Sequence, residues 1–293
     1  MKTHFFSLLL LCLSIGLRAQ DTPPADSLET VVINMLDGNE MVGQLVRQDA
    51  QTLTLRTKDY GDVILRKDQI KSISEGDSRR LVDGVYWQDN VYATRYLFGP
   101  SAYNLRKGEG YYQNTWIFIN QFSVGVTNHF TIGAGLIPLF FFAGTPSPVW
   151  ITPKVSLPIQ SEIFNASLGA LAGTVVGEEE SGFGVLYGNT TFGPRDRNLT
   201  LGLGYGFAGG ELADVPTVTI GGTYRVGPKL ALLTENYFLD AGDSNYFLGS
   251  FGLRFILRDV AIDGALIIPT ETGGSLFFIP WLGLTVPFGR RKK

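Results

Sequence analysis

Residues 198–208 place Leu199, Leu201, Leu203, Tyr205 and Phe207 in one phase of a two-residue alternation, and Thr200, Gly202, Gly204 and Gly206 in the other. Side chains alternate across a β-strand, so this segment predicts a strand with one broad apolar face and one nearly bare face. The pattern returns in the next segment, where Val218, Ile220, Tyr224 and Val226 oppose Thr217, Thr219, Thr223 and Arg225. It returns again with Phe247, Phe251, Leu253, Phe255 and Leu257 against Ser250, Gly252 and Arg254, and with Val260, Ile262 and Leu266 against Ala261, Asp263 and Ala265. The charges share their face with glycine, serine and threonine. A soluble barrel requires the reverse, because Gly and Thr pointing inward cannot fill a dry core to normal packing density. The alternation therefore predicts strands whose large face meets lipid and whose small, polar face meets a lumen.

The wider sequence agrees with an all-β chain. Its 293 residues hold 36 Gly, 20 Phe, 12 Tyr and 4 Trp, without a strongly periodic helical stretch. Beyond the N-terminus no run reaches the roughly 18 apolar residues of a membrane helix. Membrane entry would then require a closed barrel, in which every backbone hydrogen bond is made between strands. The 24 basic and 27 acidic residues lack the electrostatic footprint of a nucleic-acid binder.

Residues 1–19 predict a secretory signal, with Lys2 at its positive start, Phe5 to Leu13 as its apolar core and cleavage after Ala19. Cys12 follows Leu11, where a lipoprotein signal needs a small residue, and it is the single cysteine of the chain. The exported form is therefore expected to hold neither disulfides nor a Cys/His zinc site, and no cofactor is expected.

After a linker at 20–27, residues 28–75 are charged and alternating. Turn signals at Asp37-Gly38 and Tyr60-Gly61-Asp62 divide them into about five short strands. The run from Asp37-Gly38 through Leu53-Thr54-Leu55 to Ile70 and Ile73 resembles a small Sm-like or SH3-like β-barrel. Sm-type folds often bind RNA, but an exported copy of mixed charge is expected to serve as a structural or docking module. Residues 76–90 read as a second linker.

From residue 91 to 289 the sequence predicts twelve strands, near 91–98, 115–126, 130–141, 149–158, 162–175, 182–192, 198–208, 215–226, 229–239, 245–257, 259–268 and 276–288. The connections alternate long and short, as in barrels with external loops at one end and tight turns at the other, and twelve strands keep that rhythm. The first strand is the weakest, since Tyr92 to Phe98 also reads as an inserted N-terminal segment. Residues 290–293 form a basic tail.

A lipid-facing Arg or Lys near the bilayer centre costs roughly 2–4 kcal/mol, so Lys154, Arg225 and Arg254 are expected to point inward, with Glu235 and Asp263 as lumen partners. Tyr96, Phe98, Tyr111, Tyr112, Phe130, Trp150, Trp281 and Phe288 stand near strand ends, where interfacial girdles form. Gly204 to Gly209 matches a dinucleotide-binding pattern only as letters, because its glycines alternate along a strand instead of opening a helix. Glu178-Glu179-Glu180 and Asp240 with Asp243 could offer oxygen ligands to calcium, but they read as solvated loop charge. His129 is the only histidine after the signal and falls in a short turn, away from outer-leaflet chemistry.

The 91–288 region resembles Gram-negative outer-membrane β-barrel proteins. The stretch Tyr96-Leu97-Phe98-Gly99-Pro100-Ser101-Ala102 through Lys107-Gly108-Glu109-Gly110-Tyr111-Tyr112 is similar to one in members that carry a small β leader domain. The resemblance implies an outer-membrane location with the leader domain in the periplasm. The chain departs from the usual C-terminal aromatic residue, since Phe288 is followed by Gly-Arg-Arg-Lys-Lys. Expected partners are outer-membrane lipid, the barrel-assembly machinery and a periplasmic envelope partner, with no nucleic acid. The expected activity is passive and non-enzymatic: a narrow channel or carrier for small polar solutes. The rivals are a closed structural or interaction barrel and a lipid-modifying enzyme that needs His129 beside Ser and Asp or Glu.

Overall fold

The computed structural model describes residues 29–293, apart from 77–80, 83–84, 88–89, 161–162, 180, 241–244, 258–259, 272–276 and 290–293. The predicted signal at 1–19, the linker at 20–27 and the basic tail lie outside the described residues. Two compact units divide the chain, Met1–Gly84 and Val85–Lys293.

The first unit is a five-stranded antiparallel sheet of β1 (Thr30–Met35), β2 (Glu40–Gln48), β3 (Thr52–Thr57), β4 (Gly61–Arg66) and β5 (Ile70–Glu75), in the order β4-β3-β2-β1-β5. Both sequence turn signals become tight turns, with Gly38 at φ +91° and Gly61 at φ +67°, a region that favours glycine. β1 is buried along its whole length and β3 alternates, and Val31, Ile33, Leu53 and Leu55 join Met35 and Leu65 in one core. The β2–β3 turn is fixed by Asp49. Its carboxylate accepts from the Thr52 hydroxyl at 2.7 Å, the Thr52 N–H at 2.7 Å and the Gln51 N–H at 2.9 Å. These bonds, the Thr52 hydroxyl foremost, hold the Asp49 carboxyl down at about 2. Two short strands, β6 (Leu81–Val82) and β7 (Val85–Tyr86), follow in the chain.

The second unit is a closed barrel. Its strands are β8 (Glu109–Thr115), β9 (Ile119–Gly125), β10 (Phe130–Leu136), β11 (Ser147–Ile151), β12 (Lys154–Gln160), β13 (Phe164–Val176), β14 (Phe183–Phe192) and β15 (Arg197–Ala208). After the two-residue β16 (Glu211–Leu212) come β17 (Thr217–Gly227), β18 (Leu230–Asp240), β19 (Asn245–Ile256), β20 (Ala261–Glu271) and β21 (Ile279–Gly289). Each pairs antiparallel with its neighbour, and β21 closes on β8 through Gly283↔Thr115 to Gly289↔Glu109. β11 and β12 together fill one position between β10 and β13, so the ring has twelve staves. The break between them falls at Thr152-Pro153, where proline has no N–H for the ladder.

The total of twelve is reached by a different route from the sequence reading. Residues 91–98 form no stave: Val91–Thr94 is a 3-10 turn and the rest folds into the lumen. The missing stave is β8, inside what reads as a long loop at 99–114. The predicted 130–141 strand stops at Leu136 because Pro138 opens the short helix α1 (Pro138–Phe142). One end of the barrel carries the β9–β10, β12–β13, β14–β15, β17–β18 and β19–β20 junctions together with the start of β8 and the end of β21. The other carries the β10–β11, β13–β14, β15–β17, β18–β19 and β20–β21 junctions and one tight turn, Trp116 to Phe118.

The exterior is apolar as the alternation requires. Leu199, Leu201, Leu203, Tyr205, Phe251 and Phe255 are exposed, while Thr200, Ser250, Arg254 and Asp263 are buried. Soluble monomers rarely expose apolar bands this wide. Together with the closed ladder, the band marks a barrel built for a bilayer. Among the described residues no helix is long and apolar enough to cross a membrane, so the crossing elements are the strands.

Candidate functional site: the lumen and its occupant

Small inward residues leave the barrel wide, and the chain fills that space with its own segment 90–106. Val91–Thr94 turns once, Arg95 bridges to Pro100, and the Tyr96 N–H donates to the Gly99 carbonyl at 3.0 Å, making a tight hairpin with Leu97-Phe98-Gly99 at its tip. Tyr92, Tyr96, Leu97, Tyr103 and Leu105 are all buried, so this segment is enclosed on both faces, as no lipid-facing strand is. Gly221 on β17 permits the approach, since a Cβ there would lie 2.4 Å from the Tyr96 ring. Gly125 acts likewise, where a Cβ would lie 2.3 Å from the Arg106 carbonyl oxygen.

All five charged residues singled out in the sequence face this interior, and four of them hold the segment directly. The Lys154 ammonium donates to three of its carbonyls, Thr94 at 3.2 Å, Ser101 at 3.0 Å and Tyr103 at 2.6 Å. Glu235 works in the opposite sense. Its Oε2 accepts the successive N–H groups of Leu97 (2.8 Å), Phe98 (3.0 Å) and Gly99 (3.0 Å), while Oε1 accepts the Tyr237 hydroxyl at 2.5 Å. Three converging backbone N–H groups form a cradle for an anion. Arg254 makes a two-point contact with Asp263 at 2.7 and 2.8 Å and donates to the carbonyls of Tyr96 at 2.6 Å and Tyr92 at 3.1 Å.

Asp263 also takes Arg95 of the segment at 3.3 Å, so one carboxylate lies between two guanidiniums, and all three side chains are at most 4% exposed. Arg225 differs from the other four. It is fully buried but lies at the short-turn end, bonding Asp196 at 3.1 Å and the carbonyl of Pro228 at 2.6 Å, with its guanidinium over the Trp87 ring.

Neutral residues complete the enclosure, and sequence reasoning did not single them out. Asn189 donates to the Pro100 carbonyl at 2.8 Å, Thr191 accepts the Ala102 N–H at 2.8 Å, and Gln113 donates to the Leu97 carbonyl at 3.1 Å. The Tyr96 hydroxyl donates to Asn198 at 2.7 Å, and Arg95 also reaches Thr285. The available signal was Arg95 itself, a guanidinium in a run otherwise rich in Tyr, Leu and Phe. Along β13 the grip is looser: Asn165 Nδ2 and Ser167 Oγ are buried without a hydrogen-bond partner among the described residues.

The other sequence candidates fall elsewhere. Tyr96, Tyr111, Trp150 and Trp281 are buried, not interfacial as expected from their positions near predicted strand ends: Tyr96 belongs to the luminal segment, and strand phase turns the other three into the barrel. Phe98 belongs to the tip of the hairpin, while Phe288 is exposed on the exterior. His129 lies in the 126–129 turn, its Nδ1 3.2 Å from the Ser156 backbone carbonyl. No hydroxyl or carboxylate bonds to its ring among the described residues, so the arrangement a lipid-modifying reading required is not formed around it. Glu178 and Glu179 sit in the 177–182 connection, while Glu180 and Asp243 lie outside the described residues. Gly204 and Gly206 alternate within β15, with no helix after them.

No family model matches the chain, and no curated protein matches it. Solved structures with a similar arrangement are outer-membrane barrels. The NanC porin shares 11% identity over 62% of this chain and 98% of its own, with a TM-score of 0.41. The CymD monoaromatic hydrocarbon channel shares 7% over 90% of this chain and 88% of its own, with a TM-score of 0.39. Omp33 of Acinetobacter baumannii shares 12% over 62% of this chain and 96% of its own, with a TM-score of 0.34. By its own ladder and surface, the molecule is a twelve-stranded barrel of outer-membrane type.

Proposed function

We propose that this barrel is a passive outer-membrane channel or carrier for small polar solutes that rests closed, with segment 90–106 as its gate. The observation that supports it is how the segment is held. Lys154, Glu235 and Arg254 reach main-chain carbonyls and N–H groups of a separable piece of chain, whereas a permanently solid barrel could fill its interior with side chains from its own staves. Lumen charge would then set solute preference once the segment withdraws. The leader unit, which precedes the gate in the chain, belongs on this reading to the periplasm, where an envelope partner could draw on it.

A second reading, a closed structural or interaction barrel, draws on the buried Arg95–Asp263–Arg254 group. Separating a buried ion pair costs on the order of 3–5 kcal/mol. Single-channel recording on the folded protein distinguishes the two. With Ala102→Cys and Thr191→Cys introduced together, the gating reading expects current steps under reducing conditions and silence once the pair is oxidised. Silence in both states, from protein shown to be folded, supports the closed barrel.

A further inference from the structure

We propose that the outer wall of the barrel carries a phospholipid site at its short-turn end, with Arg197 holding the phosphate and a trough over Gly222 holding an acyl chain. Register places two adjacent rows on the exterior. Arg197 pairs with Tyr224, which pairs with Leu232; one step deeper along the strands, Leu199 pairs with Gly222, which pairs with Thr234. In the deeper row, exposed Leu199 and Phe251 are the walls, and Gly222 with half-buried Thr234 is the floor between them. The result is a groove of about 480 Å³ in the apolar exterior.

The chemistry of the two rows differs in the way a phospholipid differs along its length. The Thr234 hydroxyl donates to the Ser250 carbonyl at 2.7 Å, so the floor of the trough has no unmet polar demand toward an acyl chain. Arg197 is the first residue of β15, is exposed, and lies with its guanidinium 4.8 Å from the centre of the Tyr224 ring. No carboxylate pairs with it among the described residues. A cation on the lipid face is costly at the midplane but costs only roughly 0–1 kcal/mol near the interface, and a strand end is where it can meet headgroups. Guanidinium geometry suits phosphate, and stacking on tyrosine holds it ready. The direction from Arg197 to Gly222 is from headgroup level toward the bilayer centre, which is the direction a lipid runs. A free phosphate would use Arg197 alone and leave the trough without a role.

The test is native mass spectrometry of the folded, delipidated protein titrated with dioleoyl phosphatidylglycerol. The unaltered chain is expected to retain one lipid to higher activation than the rest. Arg197→Ala should weaken that retention roughly tenfold, the scale of one charge-assisted hydrogen bond. Gly222→Leu should do the same by filling the trough. A Cβ at residue 222 meets Thr234 Cγ2 at 3.3 Å and Leu199 Cδ1 at 3.9 Å, so the added side chain is directed into the groove. Heat-dependent electrophoretic mobility verifies that each variant is folded, and Arg197→Lys should keep part of the retention. Equal retention by the unaltered chain and Arg197→Ala overturns the proposal, as does competition by glycerol phosphate as effective as that by the lipid.

Discussion

The small β unit and the barrel use the same two-residue period with opposite solvents. In β3 the buried phase is Leu53 and Leu55 and the wetter phase is Thr52, Thr54 and Arg56; in β19 the buried phase is Ser250 and Arg254 and the exposed phase is Phe251 and Phe255. Alternation alone therefore specifies a strand and says nothing of its surroundings. What discriminates is the company the charges keep. In β3 the arginine shares a face with threonines opposite leucines, and in β19 it shares a face with serine and glycine opposite phenylalanines. The energetics invert as well. Removing apolar surface from water stabilises the small unit. The barrel keeps most of its large apolar side chains outside, and its interior adds to two small apolar clusters, around Tyr92 and around Tyr96, a network of hydrogen bonds and ion pairs, which are strong when every partner is present and costly when one is missing.

Substitutions that treat the two regions alike should separate them. The largest effect is expected for Asp263→Leu, which leaves the buried Arg95 and Arg254 without their carboxylate and costs on the order of 3–5 kcal/mol. It should be read as lost stability in reversible urea unfolding into lipid vesicles. Leu203→Arg, on the exposed face of β15, should cost about 2–4 kcal/mol if that face meets the bilayer core. A neutral outcome in the same vesicles would break the contrast between the two regions.

Glu235→Gln keeps the shape but weakens the three N–H contacts to the hairpin tip, by roughly 1–2 kcal/mol in total. It should raise the open fraction in single-channel records without lowering barrel stability to match. The matching change in the small unit is Ile64→Lys, at a site 69% exposed to solvent, and it should lie within about 0.5 kcal/mol of neutral in thermal melts.

The smallest effect is a pH dependence confined to the small unit. Asp49 is held below its ordinary range in the fold, so its contribution is present above the unfolded carboxylate range and is lost as pH falls toward about 2. Asp49→Asn should remove that dependence from hydrogen exchange at the β2–β3 turn.

The legible part of the fold was the part the alternation and the charges specify together. Lys154, Arg254 and Asp263 could be turned inward on paper because the opposite orientation would place a charge in lipid. The turns at Gly38 and Gly61 were legible from local backbone demand alone. The hairpin at 94–101 was legible only as the alternative to a first strand, an inserted N-terminal segment over Tyr92 to Phe98. Tyr92, Thr94, Tyr96 and Phe98 alternate with Ala93, Arg95 and Leu97 much as a stave does, and their enclosure depends on partners about 100 or more positions away in the chain. Trp150 and Trp281 misled for a related reason. An aromatic near a strand end has two faces available to it, and only the register shows that these turn inward.

The hold on the luminal segment is mostly on main-chain atoms that every amino acid but proline carries. Lys154 meets three carbonyl oxygens, Glu235 three amide hydrogens and Arg254 further carbonyls, so most of the recognition is blind to the side chains it encloses. Over evolutionary time the two partners should then age at different rates. The wall charges are bound to stay, while Leu97 and Phe98 can drift among residues of similar bulk. A comparison restricted to the segment would underrate it, and its history is better read from the staves that hold it.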